Sequence, residues 1–308
     1  MGKEAIFTHN DLDGLVCALL ARLALPQAAV FFCEYNALAD EVWSRLDQYE
    51  CIWFTDLSLR EEDFFSRLRQ AGKEYYWFDH HVSSRPQDFF RVCIIDTSGE
   101  HCTAEIIQAY LQQHRYEIPP PLQTLVEYAH DQDLWVRRLP PAQDFNDILG
   151  TMPAPDLFTL LQEDLNRVFH WTEEMHRACA QTQQQRAKSL ALAWATCVEH
   201  DLGAGLRLRL ALCYGSANEV GEALGNEETL VVLCDLRDWV HLQPKFHLRT
   251  KSERINASHL AERLGGGGHP RASGAPLERE ILRQISELLL DKVLPVAREA
   301  LPDTKDPG

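Results

Sequence analysis

The chain has 308 residues, 45% hydrophobic and 25% charged, a composition that argues against extensive disorder and favours two domains over one. Its 46 acidic residues outweigh 30 basic ones, for a formal net charge of -16, so repulsion disfavours duplex nucleic acid while short nucleotides stay accessible to a cation-bearing cleft. Arg22 interrupts the best early apolar stretch, no run approaches the roughly 18 residues of a membrane span, and the start lacks the features of a signal peptide; a cytoplasmic protein with no membrane partner is expected.

Short apolar runs at 5–8, 29–33, 51–55, 75–78 and 92–95 read as strands, and the amphipathic stretches 14–25, 38–49 and 60–71 read as helices between them. Alternation of this kind predicts a parallel sheet covered by helices, with ligands bound beyond the carboxyl ends of the strands. Pro119 to Pro121 break the chain, and 122–130 then reads as a helix that delivers Asp131 and Asp133. Pro140, Pro141, Pro153 and Pro155 read as loop markers. A polar, Gln-rich, helix-favouring stretch from 156 to 202 reads as a connector. Strand character resumes at 206–214, 229–233 and 240–249, with helices at 216–224, 256–264 and 278–293, which predicts a second α/β domain over 203–301 and a frayed tail over 302–308. The nine cysteines are scattered, odd in number and without a CxxC pair, and are expected to be reduced core residues.

Three strand ends carry chemistry. His9, Asp11 and Asp13 alternate just after the first strand, a pattern that serves metal ligation and helix capping equally well when taken alone. The second and third strand ends decide between them. The run 52–55 ends in Asp56, and 76–78 ends in Asp79, His80 and His81, so several carboxylates converge on one sheet edge and would repel one another without a cation. Mixed imidazole and carboxylate donors suit Mn, Mg, Co or Zn.

Thr8-His-Asn-Asp-Leu-Asp-Gly14, Thr55-Asp56, Asp79-His-His81 and Asp131 resemble the four ordered motifs of the DHH phosphoesterase superfamily, which includes oligoribonucleases, RecJ-like exonucleases and manganese pyrophosphatases. The resemblance implies an α/β fold with an N-terminal parallel-sheet DHH domain over 1–155. A helical connector over 156–202 would join it to a smaller α/β DHHA1 domain. It also implies two divalent metal ions, Mn first with Mg or Co as alternatives. His9 and Asp11 would hold one ion, Asp13, His80 and Asp131 the other, and Asp56 would bridge them. His81 would face the phosphate, with Asp79 orienting the imidazoles. The fourth motif offers both Asp131 and Asp133, and the match to a form in which an Asp precedes Asp-Leu-Trp selects Asp131.

Leu264 to Gly274 contains four successive glycines, then His269 and Arg271, and is similar to the GGGH signature of the DHHA1 domain. Successive glycines let a backbone approach an anion closely. The resemblance implies substrate binding by Gly266, Gly267, Gly268, His269 and Arg271, with Arg249 nearby; the alternative for Arg249 is a surface pair with Glu253.

The implied activity is hydrolysis of a short single-stranded oligonucleotide or a dinucleotide to mononucleotides by metal-activated water. Alternatives are a RecJ-like single-strand exonuclease, a phosphatase of a small nucleotide such as 3′-phosphoadenosine 5′-phosphate, and a non-catalytic nucleotide-binding regulator. A homodimer is left open.

Overall fold

The computed structural model of the chain describes residues 2–35, 37–240, 244–278 and, beyond these, positions 280, 281, 283, 284, 287, 288, 290 and 291. It divides into two compact units, residues 1–183 and 184–308.

The first unit opens with β1 (Glu4–His9), α1 (Leu12–Ala24), β2 (Ala29–Cys33), α2 (Leu38–Trp43), β3 (Cys51–Thr55), α3 (Glu62–Ala71), β4 (Glu74–Asp79) and β5 (Val92–Ile95). These five strands form one sheet in the order β2-β1-β3-β4-β5, and every pair is parallel. Then follow α4 (Thr103–Gln113), α5 (Pro120–Asp133), α6 (Pro140–Leu149), α7 (Ala154–Glu163) and α8 (Glu173–Thr196), which continues into the second unit.

Alternation along the strands feeds two cores. Ile6, Trp53 and Phe78 face a layer built by α1, α4, α5 and α7, while Phe7, Phe54, Tyr75 and Trp77 face α2 and α3. Helix α1 is buried along nearly its whole length because it lies against both α4 and α5. The five strands expected in this unit all form, within a residue at each end, whereas the strand expected over 240–249 in the second unit starts only at Lys245, Val240 being the end of a helix.

Pro140 and Pro141, expected in a loop, instead open α6, and Pro155 lies in the first turn of α7. Proline lacks only an N–H that the first helical turn leaves unbonded anyway. The stretch expected as a connector over 156–202 is mainly helical as far as Thr196 and then enters a strand at Val198, and Leu157, Phe158, Leu161, Met175 and Cys179 pack into the first unit's core.

The second unit contains β6 (Val198–Gly203), β7 (Leu206–Cys213), α9 (Ala217–Leu224), β8 (Thr229–Asp235), α10 (Leu236–Val240), β9 (Lys245–Thr250), α11 (Ala257–Arg263), β10 (Gly267–Gly268) and β11 (Ala272–Pro276). Its sheet is mixed, in the order β10-β11-β9-β8-β7-β6, with β7 and β8 the one parallel pair. One face packs Ala211, Val231 and Leu233 against α9 and the end of α8; the other packs Leu230, Val232 and Leu248 against α11. The expected helix over 278–293 and the tail fall largely outside the described residues. Among the described residues no helix is long and apolar enough to cross a membrane. None of the nine cysteines forms a disulfide, and six of them are buried.

Candidate metal centre

The parallel register aligns the carboxyl ends of β1, β3 and β4, so His9, Asp56 and Asp79 to His81 emerge at one edge. The chain turns from β1 straight into α1 through Gly14, where an added Cβ would lie 2.1 Å from the His9 carbonyl oxygen. Only glycine permits that approach, and it brings Asp11 and Asp13 back over the strand end. Asp11 both caps α1 and joins the cluster: Oδ1 accepts from the Gly14 N–H at 2.9 Å, and Oδ2 lies 2.7 Å from His9 Nδ1. Asp11 thus fills the capping role, and its second oxygen faces the cluster. Asp13 accepts the N–H groups of Thr103 and Ala104, at 2.8 and 2.9 Å, at the start of α4.

Asp56 stands at the centre. Its backbone is left-handed, φ 55°, a conformation a non-glycine residue keeps only where its surroundings impose it. Its N–H donates to the Phe78 carbonyl at 3.0 Å and Thr103 Oγ1 donates to its Oδ1 at 3.2 Å. Its carboxylate lies 3.9 Å from His9 Nδ1, 3.5 Å from His80 Nε2 and 4.0 Å from His81 Nδ1.

Two ligand trios result, His9 with Asp11 and Asp56, and Asp13 with His80 and Asp133; within each, potential donor atoms lie no more than 4.8 Å apart. A third grouping, Asp56 with His80 and His81, lies across them.

The fourth-motif residue is placed differently from the expectation. Asp133 reaches the cluster, its Oδ2 3.2 Å from His80 Nε2. Asp131, two residues earlier on α5, turns its carboxylate to the N–H groups of Arg138 at 2.7 Å and Leu139 at 3.2 Å, and its carbonyl accepts from Val136 and Arg137. Asp131 thus ties down the 135–139 loop, in which Trp135 and Arg137 both have positive φ and stack 3.8 Å apart. His130 pairs with Glu105 at 2.8 Å.

The buried carboxylates oppose one another. Burial, then the charges of Asp13, Asp11 and Asp133, push the Asp56 carboxyl well above its ordinary range. Burial and the Asp11 charge raise Asp13 to about 6 despite its two backbone donors, and burial and the Asp13 charge raise Asp133 to about 7 against the pull of His80. Three buried atoms at the centre, Asp56 Oδ2, His80 Nε2 and Asp133 Oδ2, have no hydrogen-bond partner. Unpartnered donors of this kind, inside mutually repelling carboxylates, fit a divalent cation.

His81 is held from behind, its Nδ1 2.7 Å from Asp79 Oδ1, while Ser84 Oγ donates to Asp79 Oδ2. The carboxylate fixes the proton on Nδ1 and turns Nε2 outward, where it meets the Tyr35 hydroxyl at 3.1 Å. The Tyr35 ring also lies 4.9 Å from that of His9. Tyr35 follows closely on β2, and the strand-end logic that located the other residues applies to it as well, although the sequence reading passed over it.

In the second unit the glycine run is spent mostly on the fold. Gly265 and Gly266 donate to the Glu262 and Ala261 carbonyls, Gly267 and Gly268 pair with Gly274 and Ser273, and the His269 N–H donates to the Ala272 carbonyl. A Cβ on Gly266 would meet the Gly274 carbonyl oxygen at 2.0 Å, so that glycine serves strand approach. His269 and Arg271 are exposed at the turn, and Arg271, rather than Arg249, faces Glu253, at 3.8 Å with side chains 68% and 87% exposed. Arg249 is held by Asn218 Oδ1 at 2.9 and 2.6 Å and by the carbonyls of Leu248 and Ser273. Those acceptors are all neutral, and burial lowers the Arg249 pKa.

No family model matches the chain. Oligoribonuclease NrnB of Bacillus subtilis (strain 168) is 23% identical over 306 residues, covering 90% of this chain and 73% of that protein. Among solved structures, the pGpG-specific phosphodiesterase PggH of Vibrio cholerae superposes with a TM-score of 0.58 at 13% identity, over 95% of this chain and 99% of that one. Exonuclease RecJ bound to manganese gives 0.63 at 16% identity, over 98% and 91%. These likenesses run the length of the chain, across the parallel-sheet unit that carries the ordered motifs and the mixed-sheet unit that carries the glycine run, and the chain shares the α/β fold of these proteins.

Proposed function

We propose that this chain is a metal-dependent phosphodiesterase that cleaves short single-stranded oligonucleotides or dinucleotides to mononucleotides. The observation that carries the reading is the convergence of unpartnered Asp56 Oδ2, His80 Nε2 and Asp133 Oδ2 among repelling carboxylates. NrnB, an oligoribonuclease, and PggH, a pGpG-specific phosphodiesterase, support the substrate class.

Two cations fit the donor sets. His9 and Asp11 would hold one, Asp13, His80 and Asp133 the other, and Asp56 would serve both; Asp133, rather than Asp131, is the member contributed by α5. Manganese suits these mixed donors, with magnesium or cobalt as alternatives. When bound, such cations polarise phosphoryl oxygens and lower the pKa of water so that it attacks phosphorus at neutral pH.

The chain's own groups do the rest. His81, with Nδ1 held by Asp79, directs Nε2 to a phosphoryl or leaving oxygen and supplies a proton there. Asp79 keeps that ring in one orientation and favours its protonated form, although burial opposes it. In the second unit, Arg249, Gly267, Gly268, His269 and Arg271 are the groups proposed to bind nucleotide, and Gly266 keeps its structural place. Cysteines that form no disulfide suit a cytoplasmic location.

The test is a panel assay with Mn2+, comparing pyrophosphate, 3′-phosphoadenosine 5′-phosphate, cyclic and linear dinucleotides, and longer single strands. Dinucleotides and short oligomers should give the highest kcat/KM, and chelator should abolish it. Turnover confined to pyrophosphate would overturn the reading.

A further inference from the structure

Beside the metal centre, on the far side of Tyr35, lies a cavity of about 400 Å3 with apolar walls of Leu38, Leu59 and Phe64 and a polar edge of Ser58, Arg60 and Glu61. We propose that this cavity is a nucleobase subsite, which takes the base of the nucleotide whose phosphate is presented to His81; it rests on the phosphodiesterase reading above.

Position is the first argument. Tyr35 is a wall of the cavity, and its hydroxyl also touches His81 Nε2 at 3.1 Å, so the two spaces share one side chain. A nucleotide whose phosphate sits at His81 would carry its sugar and base past Tyr35, which is 41% exposed. Size is the second. The volume falls in the range of about 300–1,000 Å3 typical of small-molecule pockets lined by apolar groups with a few polar ones.

Chemistry is the third. A second phosphate would be repelled by Glu61, and a purely apolar ligand would leave both Arg60 and Glu61 without a use. A base has flat faces for the Tyr35, Leu59 and Phe64 walls and an edge with both acceptors for Arg60 and donors for Glu61. Among the described residues neither Arg60 nor Glu61 forms an ion pair; the Arg60 guanidinium donates from Nε to Ser58 Oγ at 3.0 Å.

That last contact ties the cavity to the chemistry. Ser58 Oγ lies 3.0 Å from Ser84 Oγ, Ser84 donates to Asp79, and Asp79 holds His81. A base that engages Arg60 therefore acts on the same chain of hydrogen bonds that orients the His81 ring.

The experiment uses the full chain loaded with Mn2+ and compares wild type with Ala39→Trp, which fills the cavity from α2, and Arg60→Ala, at an exposed position. Calorimetry measures binding of GMP, AMP and ribose 5-phosphate, and turnover is followed on a dinucleotide and on the same molecule made abasic at either position. Wild type should bind at least one of the mononucleotides roughly 5- to 150-fold more tightly than ribose 5-phosphate, the range for stacking one base. Each variant should erase most of that difference while ribose 5-phosphate binds as before. KM for the dinucleotide should rise by a similar factor, with no rise for one of the two abasic substrates. Equal wild-type affinity for nucleotide and sugar phosphate, or equal losses on dinucleotide and both abasic forms, would overturn the subsite. If Ala39→Trp fails to fold, Arg60→Ala decides alone. Base-dependent binding without any dinucleotide hydrolysis would sink the phosphodiesterase reading and leave a base-binding cavity.

Discussion

Asp56 illustrates how much chemistry one side chain carries here, because it is the residue common to the His9 and His80 sides of the cluster. Asp56→Asn should lower kcat by about 10³-fold or more, beyond the 10- to 100-fold typical of losing a ligand's supporting partner. In metal-free protein the same change should leave the melting temperature unchanged or higher, since it removes one of several repelling charges. Steady-state kinetics and thermal melts check both halves, and near-normal turnover with two cations bound would sink the assignment. A second comparison separates neighbours: Asp133→Asn should weaken Mn2+ binding far more than Asp131→Asn, because Asp131 spends its carboxylate on the N–H groups of Arg138 and Leu139. Metal titration of both variants reads the order directly. The sequence could show, through its resemblance to the fourth motif, that one of these two aspartates belongs to the site. It could not show which, because positions two apart on a helix are roughly 200° apart around its axis, and only the docking of α5 decides which face turns inward.

At the scale of the element, the tight turn from β1 into α1 is the site's foundation. Gly14→Ala places a Cβ 2.1 Å from the His9 carbonyl and must push the strand end away. Overpacking of this kind costs about 1–3 kcal/mol, which lowers the melting temperature by roughly 3–10 °C and displaces His9 with it. A thermal melt beside a Mn2+ titration should show both effects, and an unchanged melt would remove the turn from its structural role. The strands and their ends were legible because apolar runs of four to six residues each stop at a polar group, as 52–55 does at Asp56. Other elements were hidden by competing signals. Pro140 and Pro141 read as loop markers, yet proline is also a helix opener. The edge strand β6 lacks an apolar run, since all six of its residues are exposed, and only pairing with β7 makes it a strand. The glycine run reads as an anion cradle, whereas several of its N–H groups serve the hairpin of β10 and β11.

For the whole molecule, cation binding and folding are linked, since ions that bind only the native arrangement stabilise it by mass action. At 100 times its dissociation constant one cation contributes about 2.7 kcal/mol, or roughly 5–10 °C for a unit of this size, and EDTA should reverse the shift. Differential scanning fluorimetry with and without Mn2+ makes the measurement; no shift would count against a cation at the cluster. Division of labour is testable too. Arg271 is exposed on the second unit and takes no part in its core, so Arg271→Ala should leave bound metal unchanged while lowering kcat/KM on a dinucleotide roughly 10- to 150-fold. The loss should be much smaller on bis-p-nitrophenyl phosphate, and equal losses on both substrates would take Arg271 out of substrate binding.

The order of the first sheet also sets a timetable. Because β1 sits between β2 and β3, and Asp133 waits at the end of α5, the first and last members of the cluster leave the ribosome far apart. At about 5–20 residues per second the interval from His9 to Asp133 is roughly 6–25 s. Throughout that interval the nascent chain carries exposed imidazoles and carboxylates without the geometry to hold an ion tightly, and full loading must wait until α5 docks beside α1. A chain stalled or clipped before Asp133 would lose the cluster's last carboxylate, which, on the function proposed above, makes that docking the step at which a folded scaffold gains its cation site.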